Sequence, residues 1–355
     1  MEALQLRYGD AVHCEMVDAL KDYAPKPLDL APEHYAFMIK APQLYRQFYE
    51  LGNGQRRSKL ITNSITLYAR RQVKAMMEQH EADVIVSTYH FANAPVLDAL
   101  RRSGRHTPLI TVVTDLITIP PVWFDRRAAL TILPTESAFH QAIIAGMPQD
   151  KLVRIGLPVS PGFVAVTAVQ KAALRRKLGW PTNRRIALMM AGSVGIGPLG
   201  SLAEAIVDSG LDVTPVVVTG RNRRLATRLR TEPWANQAHI YDFVDDMPSF
   251  MQAADILVTK AGPGTITEAL NVHLPMILYS RIPGQEEGNV QYVTASGAGY
   301  WAPKKSQLID TLQYLTTDPK ALERAQVAAQ HLSNPKAATA IAELVMKTAQ
   351  ENRQK

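Results

Sequence analysis

Cysteine is nearly missing from this chain of 355 residues: Cys14 is the single one. One thiol excludes an internal disulfide framework and any cysteine-rich metal centre. Long apolar runs are missing as well. No stretch approaches the ~20 uninterrupted apolar residues that a membrane-spanning helix requires, although 46% of residues are hydrophobic and only 20% charged. The opening Met1-Glu-Ala-Leu-Gln-Leu-Arg7 has no basic segment followed by an apolar one. No secretory leader is expected from it, and the cytoplasm is the expected compartment. Sequence repeats and low-complexity tracts are absent too.

What the chain does have is length, charge and glycine-rich turns. Its length exceeds one ordinary core, so two domains are expected. The formal charge of +7 favours an anionic partner: a nucleotide, an acidic membrane face or nucleic acid. The basic residues fall in short scattered clusters with no nucleic-acid-binding signature, so no nucleic acid partner is expected.

Short apolar runs alternate with helical patterns along the whole chain. They fall at 83–87, 109–113 and 129–133 in the first half, and at 185–190, 214–219, 240–244, 256–258 and 275–278 in the second. Continuous apolar strands between helices imply βαβ units and parallel sheets covered on both faces. Gly156-Leu-Pro-Val-Ser-Pro-Gly162 breaks this rhythm and marks the domain boundary. Residues 335–355 read as one helix with Ala338, Ile341, Leu344 and Val345 on one face.

The most informative segment is Thr259-Lys-Ala-Gly-Pro-Gly-Thr-Ile-Thr-Glu-Ala-Leu270. A strand runs into a loop with Gly262, Pro263 and Gly264, a helix is expected from Thr265, and Glu268 lies one turn in. Glycines let a backbone approach a ligand closely, and free N–H groups at a helix N-terminus favour phosphate. A carboxylate one turn in can accept bonds from ribose hydroxyls. The same Thr265-x-x-Glu268 spacing is also a capping box, in which the Glu only satisfies the helix end. The segment alone leaves both readings open.

Its neighbours bear on the choice. Open α/β sheets bind ligands beyond the carboxyl ends of their strands. Three further polar loops follow strands there: Ala191-Gly-Ser-Val-Gly-Ile-Gly-Pro198, with Gly192, Gly195 and Gly197; Gly220-Arg221-Asn222; and Ile282-Pro-Gly-Gln-Glu-Glu-Gly-Asn289. Each alone is compatible with plain turn geometry. Four at one sheet edge favour a binding cleft.

Together these four loops resemble the monogalactosyldiacylglycerol synthases, which belong with the bacterial diacylglycerol glucosyltransferases to glycosyltransferase family 28. Thr111-Val-Val-Thr-Asp-Leu116, Pro121-Val-Trp-Phe124, Pro134-Thr-Glu136 and Gly156-Leu-Pro-Val159 extend the resemblance over nearly the whole chain. It implies an α/β chain of the GT-B fold, two Rossmann-like domains facing across a cleft. Residues 1–160, with the helix 335–355 packed back on them, would be the acceptor and membrane-facing domain; 161–334 would bind the UDP-sugar. Glu268 would hold the ribose, and Gly262, Pro263, Gly264 and Thr265 would meet the diphosphate, flanked by Gly192, Gly195 and Gly197. Gln285 and Glu286 would contact the sugar, with Asn289 lining that loop. Gly220, Arg221 and Asn222 would lie at the same donor site, and Phe243 and Val244 near the uracil.

The reaction so implied moves galactose or glucose from UDP to diacylglycerol in an anionic membrane, at the inner face of the cell membrane. No metal cofactor is expected, and the chain contains no Asp-x-Asp, the metal–diphosphate signature of the other large glycosyltransferase fold. Transfer of N-acetylglucosamine to a polyprenyl-linked peptidoglycan precursor is the alternative within the same family. Its sugar loop usually carries two adjacent glutamines, whereas Gln285 is followed here by Glu286.

The chain departs from the pattern at the acceptor side. The first strand, the glycine-rich loop and the histidine that the family uses as base are not in this sequence, which begins within the helix expected after them. Ile117-Thr-Ile-Pro-Pro121 stands where members often carry a second histidine. Three readings follow: a start upstream of Met1, which is preferred; an inactive nucleotide-sugar-binding relative; or another base. The candidates for that base are Asp115 and His90, both just past strand ends. Each has a plainer role open to it, a turn cap for Asp115 and a packed loop position for His90. The stretch 35–71 mixes Tyr35, Phe37, Tyr45, Phe48 and Tyr49 with Lys40, Arg46, Arg56, Arg57 and Lys59. It reads either as a membrane-resting surface or as an ordinary packed amphipathic helix.

Overall fold

A computed structural model of the chain describes residues 1–26, 46, 54–191 and 197–354. It divides into two compact units. One comprises Met1–Ser160, Ile282–Gln285 and Lys336–Lys355; the other comprises Pro161–Arg281 and Glu286–Pro335.

The first unit holds a parallel sheet of four strands in chain order: β1 (Ile85–Ser87), β2 (Leu109–Val112), β3 (Leu130–Leu133) and β4 (Leu152–Arg154). Alternate residues of a strand face opposite sides, and β2 is buried throughout. Leu109 meets Val96, Leu97 and Leu100 of the helix His90–Ser103. On the other face Ile110, Val112 and Ile132 pack against Ile341 and Val345 of the helix Ala337–Arg353. Leu344 joins that contact, while Ala338 is only half-buried and Ala337 is the buried small residue of the first turn. Asp83, which the sequence placed in the first strand, lies ahead of it. Its carboxylate receives Arg353 Nε at 2.8 Å and Nη2 at 2.5 Å, fastening the end of the last helix to the amino edge of the sheet.

The second unit holds six parallel strands: β5 (Arg185–Met190), β6 (Val213–Val218), β7 (His239–Tyr241), β8 (Ile256–Lys260), β9 (Met276–Ser280) and β10 (Gly299–Trp301). Their spatial order is β7-β6-β5-β8-β9-β10, so the winding reverses between β5 and β8. This is the doubly wound dinucleotide-binding order, and its ligand crevice lies beyond the carboxyl ends of the two strands at the reversal. The centre of the sheet is wholly apolar, with Ile186, Leu188, Met189, Val216, Val217, Ile256, Leu257 and Val258 at 0% exposure.

Asp255 locks the opposite edge. Its Oδ2 accepts from Arg175 Nη2 at 2.5 Å and from the Ile186 N–H at 2.8 Å, while Lys171 Nζ lies 2.8 Å from Oδ1. Burial alone would raise this carboxyl; Lys171 and Arg175 outweigh it and hold it below the usual range. The helix Ala168–Leu178, started by a capping box of Thr167 and Gln170, is thereby fastened beneath β5 and β8.

Candidate functional site

The helix after β8 spans Pro263–Asn271, with Gly262 as its N-cap and no side chain capping it. It opens two residues earlier than the sequence reading placed it. The reason is Pro263, whose fixed φ and missing N–H suit the first helical position. Thr265 and Glu268 are therefore inside the helix, and the capping box does not form. The Gly262 N–H donates to the Lys260 carbonyl at 2.8 Å, and Pro263 has none. The N–H groups left for a ligand are those of Gly264 and Thr265. Gly264 has no positive φ, and an added Cβ there would meet nothing within 4 Å. Neither backbone conformation nor packing calls for glycine at that position.

Glu268 projects from the second turn, half-buried, and its carboxylate has no hydrogen-bond partner among the described residues. Burial pushes it up to about 7. An unpartnered carboxylate in such a place is costly unless something else binds it.

Around the helix start, Lys260 Nζ donates to Glu286 Oε1 at 2.7 Å. The same ammonium lies 3.3 Å from the position a Cβ on Gly262 would take. Glu286 is 2% exposed, and Asn289 beside it donates from Nδ2 to the Ala261 carbonyl at 2.9 Å. The Asn289 Oδ1 is buried with no hydrogen-bond partner among the described residues. Tyr279 at the end of β9 is buried, and both that burial and the Glu286 charge push its hydroxyl well above the usual range. Its oxygen lies 2.8 Å from where a Cβ on Gly197 would sit, so Gly197 lies directly against it.

Further along the same edge, Gly220 follows β6 with φ 62°. Asn222 Oδ1 accepts from the Leu225 N–H at 3.1 Å and caps the helix Arg223–Leu229. The Arg221 guanidinium lies 5.6 Å from the ring centroid of Phe243, which is half exposed after β7, and Val244 follows it half-buried. Gly192 and Gly195 lie outside the described residues.

In the first unit the two acceptor-side candidates share one indole. Trp123, buried in the turn Pro121–Trp123, donates from Nε1 to Asp115 Oδ2 at 2.7 Å. The His90 ring lies 5.1 Å from the Trp123 ring and 4.3 Å from that of Phe91. Burial drives His90 down to about 4, so it is neutral at physiological pH. Asp115 follows the carboxyl end of β2, and its Oδ1 receives Gln285 Nε2 at 3.3 Å. Lys260, Tyr279 and Trp123 were not singled out by sequence. Lys260 and Trp123 stood inside quoted motifs, whereas nothing in the sequence marked Tyr279.

A doubly wound sheet with an open helix end and polar loops at its switch point belongs to the class of nucleotide-binding α/β folds. In agreement, residues 190–344 match the glycosyltransferase family 28 C-terminal domain, and residues 1–159 match the monogalactosyldiacylglycerol (MGDG) synthase family. The chain is 31% identical to monogalactosyldiacylglycerol synthase 3, chloroplastic, of Arabidopsis thaliana, over 95% of this chain and 74% of that protein. It is 34% identical to a probable monogalactosyldiacylglycerol synthase of Glycine max, over 94% of this chain and 65% of the other. The chain belongs to the monogalactosyldiacylglycerol synthase family and is a glycosyltransferase of glycolipid synthesis. Solved structures share its fold. MurG of Acinetobacter baumannii has a TM-score of 0.57 at 18% identity, covering 79% of this chain and 80% of that one. HepE of Anabaena, solved in complex with UDP, has a TM-score of 0.51 at 18% identity, covering 81% and 80%.

Proposed function

We propose that the protein transfers galactose from UDP-galactose to the free hydroxyl of diacylglycerol at a membrane surface. Its two units would then be the two Rossmann-like domains of a GT-B enzyme, the second binding the donor and the first the lipid acceptor. The observation that carries the donor reading is Glu268, a carboxylate raised to about 7 by burial and lacking a hydrogen-bond partner among the described residues. Two ribose hydroxyls are the donors it lacks. The N–H groups of Gly264 and Thr265, at the positive end of their helix, take the diphosphate. Asn289 Oδ1, buried and unpartnered, accepts from the bound donor in the same loop.

In the reaction the acceptor oxygen forms a bond to the anomeric carbon, the carbon–oxygen bond to the β-phosphate breaks, and its electron pair leaves with UDP. Helix N–H groups stabilise that charge as it develops. The acceptor proton passes to Asp115, whose carboxylate is oriented by the Trp123 indole. His90 packs on that indole and acts through it.

Calorimetry and turnover together test the assignment. Glu268→Ala abolishes measurable UDP binding while leaving the fold intact. Asp115→Asn keeps UDP affinity and lowers kcat by roughly 10²–10⁴-fold, the usual contribution of a general base. Unchanged UDP affinity in Glu268→Ala would overturn the donor site, and an unchanged kcat in Asp115→Asn would overturn the base.

A further inference from the structure

We propose that Arg223, Arg224 and Arg228 form an electrostatic funnel at the donor edge of the second sheet, drawing the anionic sugar nucleotide towards its crevice without bonding to it. The inference rests on the donor reading above and adds how the ligand reaches that site.

The segment Arg221–Arg230 holds five arginines in ten residues. Two of them are engaged. The Arg221 guanidinium lies over the Phe243 ring, and Arg230 Nη2 donates to the Ile240 carbonyl at 3.2 Å and to Asp242 Oδ1 at 3.4 Å. Arg223, Arg224 and Arg228 are exposed, and their guanidinium groups have no hydrogen-bond or ion-pair partner among the described residues. The helix Arg223–Leu229 buries Ala226 and Leu229. With 3.6 residues per turn, the three arginines project from its other side.

Local folding physics disfavours this arrangement. Arg223 and Arg224 stand in the first turn, which has no acidic residue, so two cations meet the positive end of the helix dipole. Arg224 and Arg228 are four apart, the spacing at which like charges repel across one turn. Charge kept against the preference of its own helix, and without a protein partner, points to a use outside the fold.

The position of the helix says what that use is. It follows β6 and so starts at the carboxyl edge of the sheet, and β6 pairs with β5, one of the two strands at the switch point. From Arg223 to Arg228 the helix rises only about 8 Å. All three charges thus stay near the edge, on the scale of the Debye length of about 10 Å at 0.1 M salt. The loops lining the crevice carry mixed charge: Lys260 Nζ lies 2.7 Å from Glu286 Oε1, and Glu268 adds a further carboxyl. Such a mixture exerts little long-range pull on a diphosphate. The three unpaired arginines beside it do, and a fringe of one sign around a cleft speeds capture of an oppositely charged ligand.

The test is stopped-flow binding of a UDP whose β-phosphate carries a fluorophore in place of the hexose, which leaves the ribose free. The variants are Arg223→Gln with Arg224→Gln, the same pair with Arg228→Gln, and, as control, Arg176→Gln with Lys177→Gln. The control makes the same charge change as the first pair, at exposed residues ending the helix that leads into the amino end of β5. In about 20 mM salt the Arg223 and Arg224 pair should bind about 5-fold more slowly than wild type, and the triple variant more slowly still, with dissociation within about 2-fold. In about 0.5 M salt the difference should vanish, because screening removes the attraction. The control should associate within about 2-fold of wild type throughout. The melting temperature of the Arg223 and Arg224 pair should equal or exceed that of wild type, since both charges oppose their helix. Equal slowing in the control would make net charge, not place, the cause and overturn the funnel. So would an unchanged association rate, or a loss confined to dissociation and persisting in high salt, which marks a direct contact. A lower melting temperature would assign the arginines to the fold instead. Glu268→Gln tests the donor reading separately: it should speed dissociation, and unchanged rates there would overturn the placement of the donor, whatever the arginines do.

Discussion

At the scale of single residues, Glu268 has the most to say about pH. Its pKa is about 7 in the folded protein against an ordinary value near 4.5. A carboxyl raised by folding contributes its stability fully below the unfolded value and loses it as pH rises through the folded one. The ligand-free protein is thus destabilised between about pH 5 and pH 8 by this group, on the order of 2–3 kcal/mol once solvent screening of a half-buried carboxyl is allowed for. Glu268→Gln should flatten that part of the melting-temperature profile. Ligand binding carries the opposite slope, because ribose hydroxyls donate to the ionised form. UDP affinity should rise up to about tenfold per pH unit below 7 and level off above it. A flat calorimetric profile from pH 5.5 to 8 would mean that the carboxylate does not bind the ribose.

At the scale of elements, the helix Pro263–Asn271 separates folding requirements from ligand requirements within one turn. Gly264→Ala adds a methyl group to open space at a helical position. It should stabilise the empty protein by up to about 1 kcal/mol. The same methyl stands beside the N–H groups proposed to meet the diphosphate, so UDP affinity should fall by tenfold or more. If thermal melts and titrations move together, the glycine is not there for the ligand. This helix was legible in sequence because glycine, proline and a preceding apolar strand are local signals; it starts ahead of Thr265 because Pro263, with its fixed φ and missing N–H, takes the first helical position. Strands such as Arg185–Met190 were legible for the same reason. The strands Leu152–Arg154 and Gly299–Trp301 were not, since the first has only two apolar residues between Lys151 and Arg154 and the second opens on a glycine. Nor was the ion pair of Lys260 with Glu286. The two are far apart in the chain, and it is the pairing of β8 with β9, which sets Lys260 beside Ser280, that lets the following loop bring Glu286 back to it. The Trp123 and Asp115 pair was half legible, since both residues stood in quoted motifs without any sign that they touch.

At the scale of the whole molecule, the question is how a protein with no described helix long and apolar enough to cross a membrane meets a lipid acceptor. The helix Gln55–Tyr68 offers a surface for this. Leu60 and Leu67, one heptad apart and so on one face, are 67% and 73% exposed, and Tyr68 beside them is 55% exposed. Arg57 and Lys59 are exposed on the same helix. The aromatic residues from Tyr35 to Tyr49 that the sequence reading joined to this surface lie outside the described residues. The helix packs against His90–Ser103 and against the turn Pro121–Trp123, whose indole holds Asp115. A bilayer resting on its outer face would therefore place lipid close to the proposed base. Each basic side chain near an anionic surface contributes about 1 kcal/mol, and the net charge of +7 acts in the same direction. Replacing Arg57 and Lys59 together by Gln should lower partitioning onto anionic vesicles by about 2 kcal/mol, roughly 30-fold. Raising the salt should weaken the wild type towards that level, because screening removes the same attraction. Leu60→Ser with Leu67→Ser should instead weaken binding to charged and uncharged vesicles alike, with little dependence on salt. UDP affinity should be unchanged in both double variants, since neither touches the donor loops. Vesicle cosedimentation identical to wild type in both would place the membrane contact on another face of the molecule.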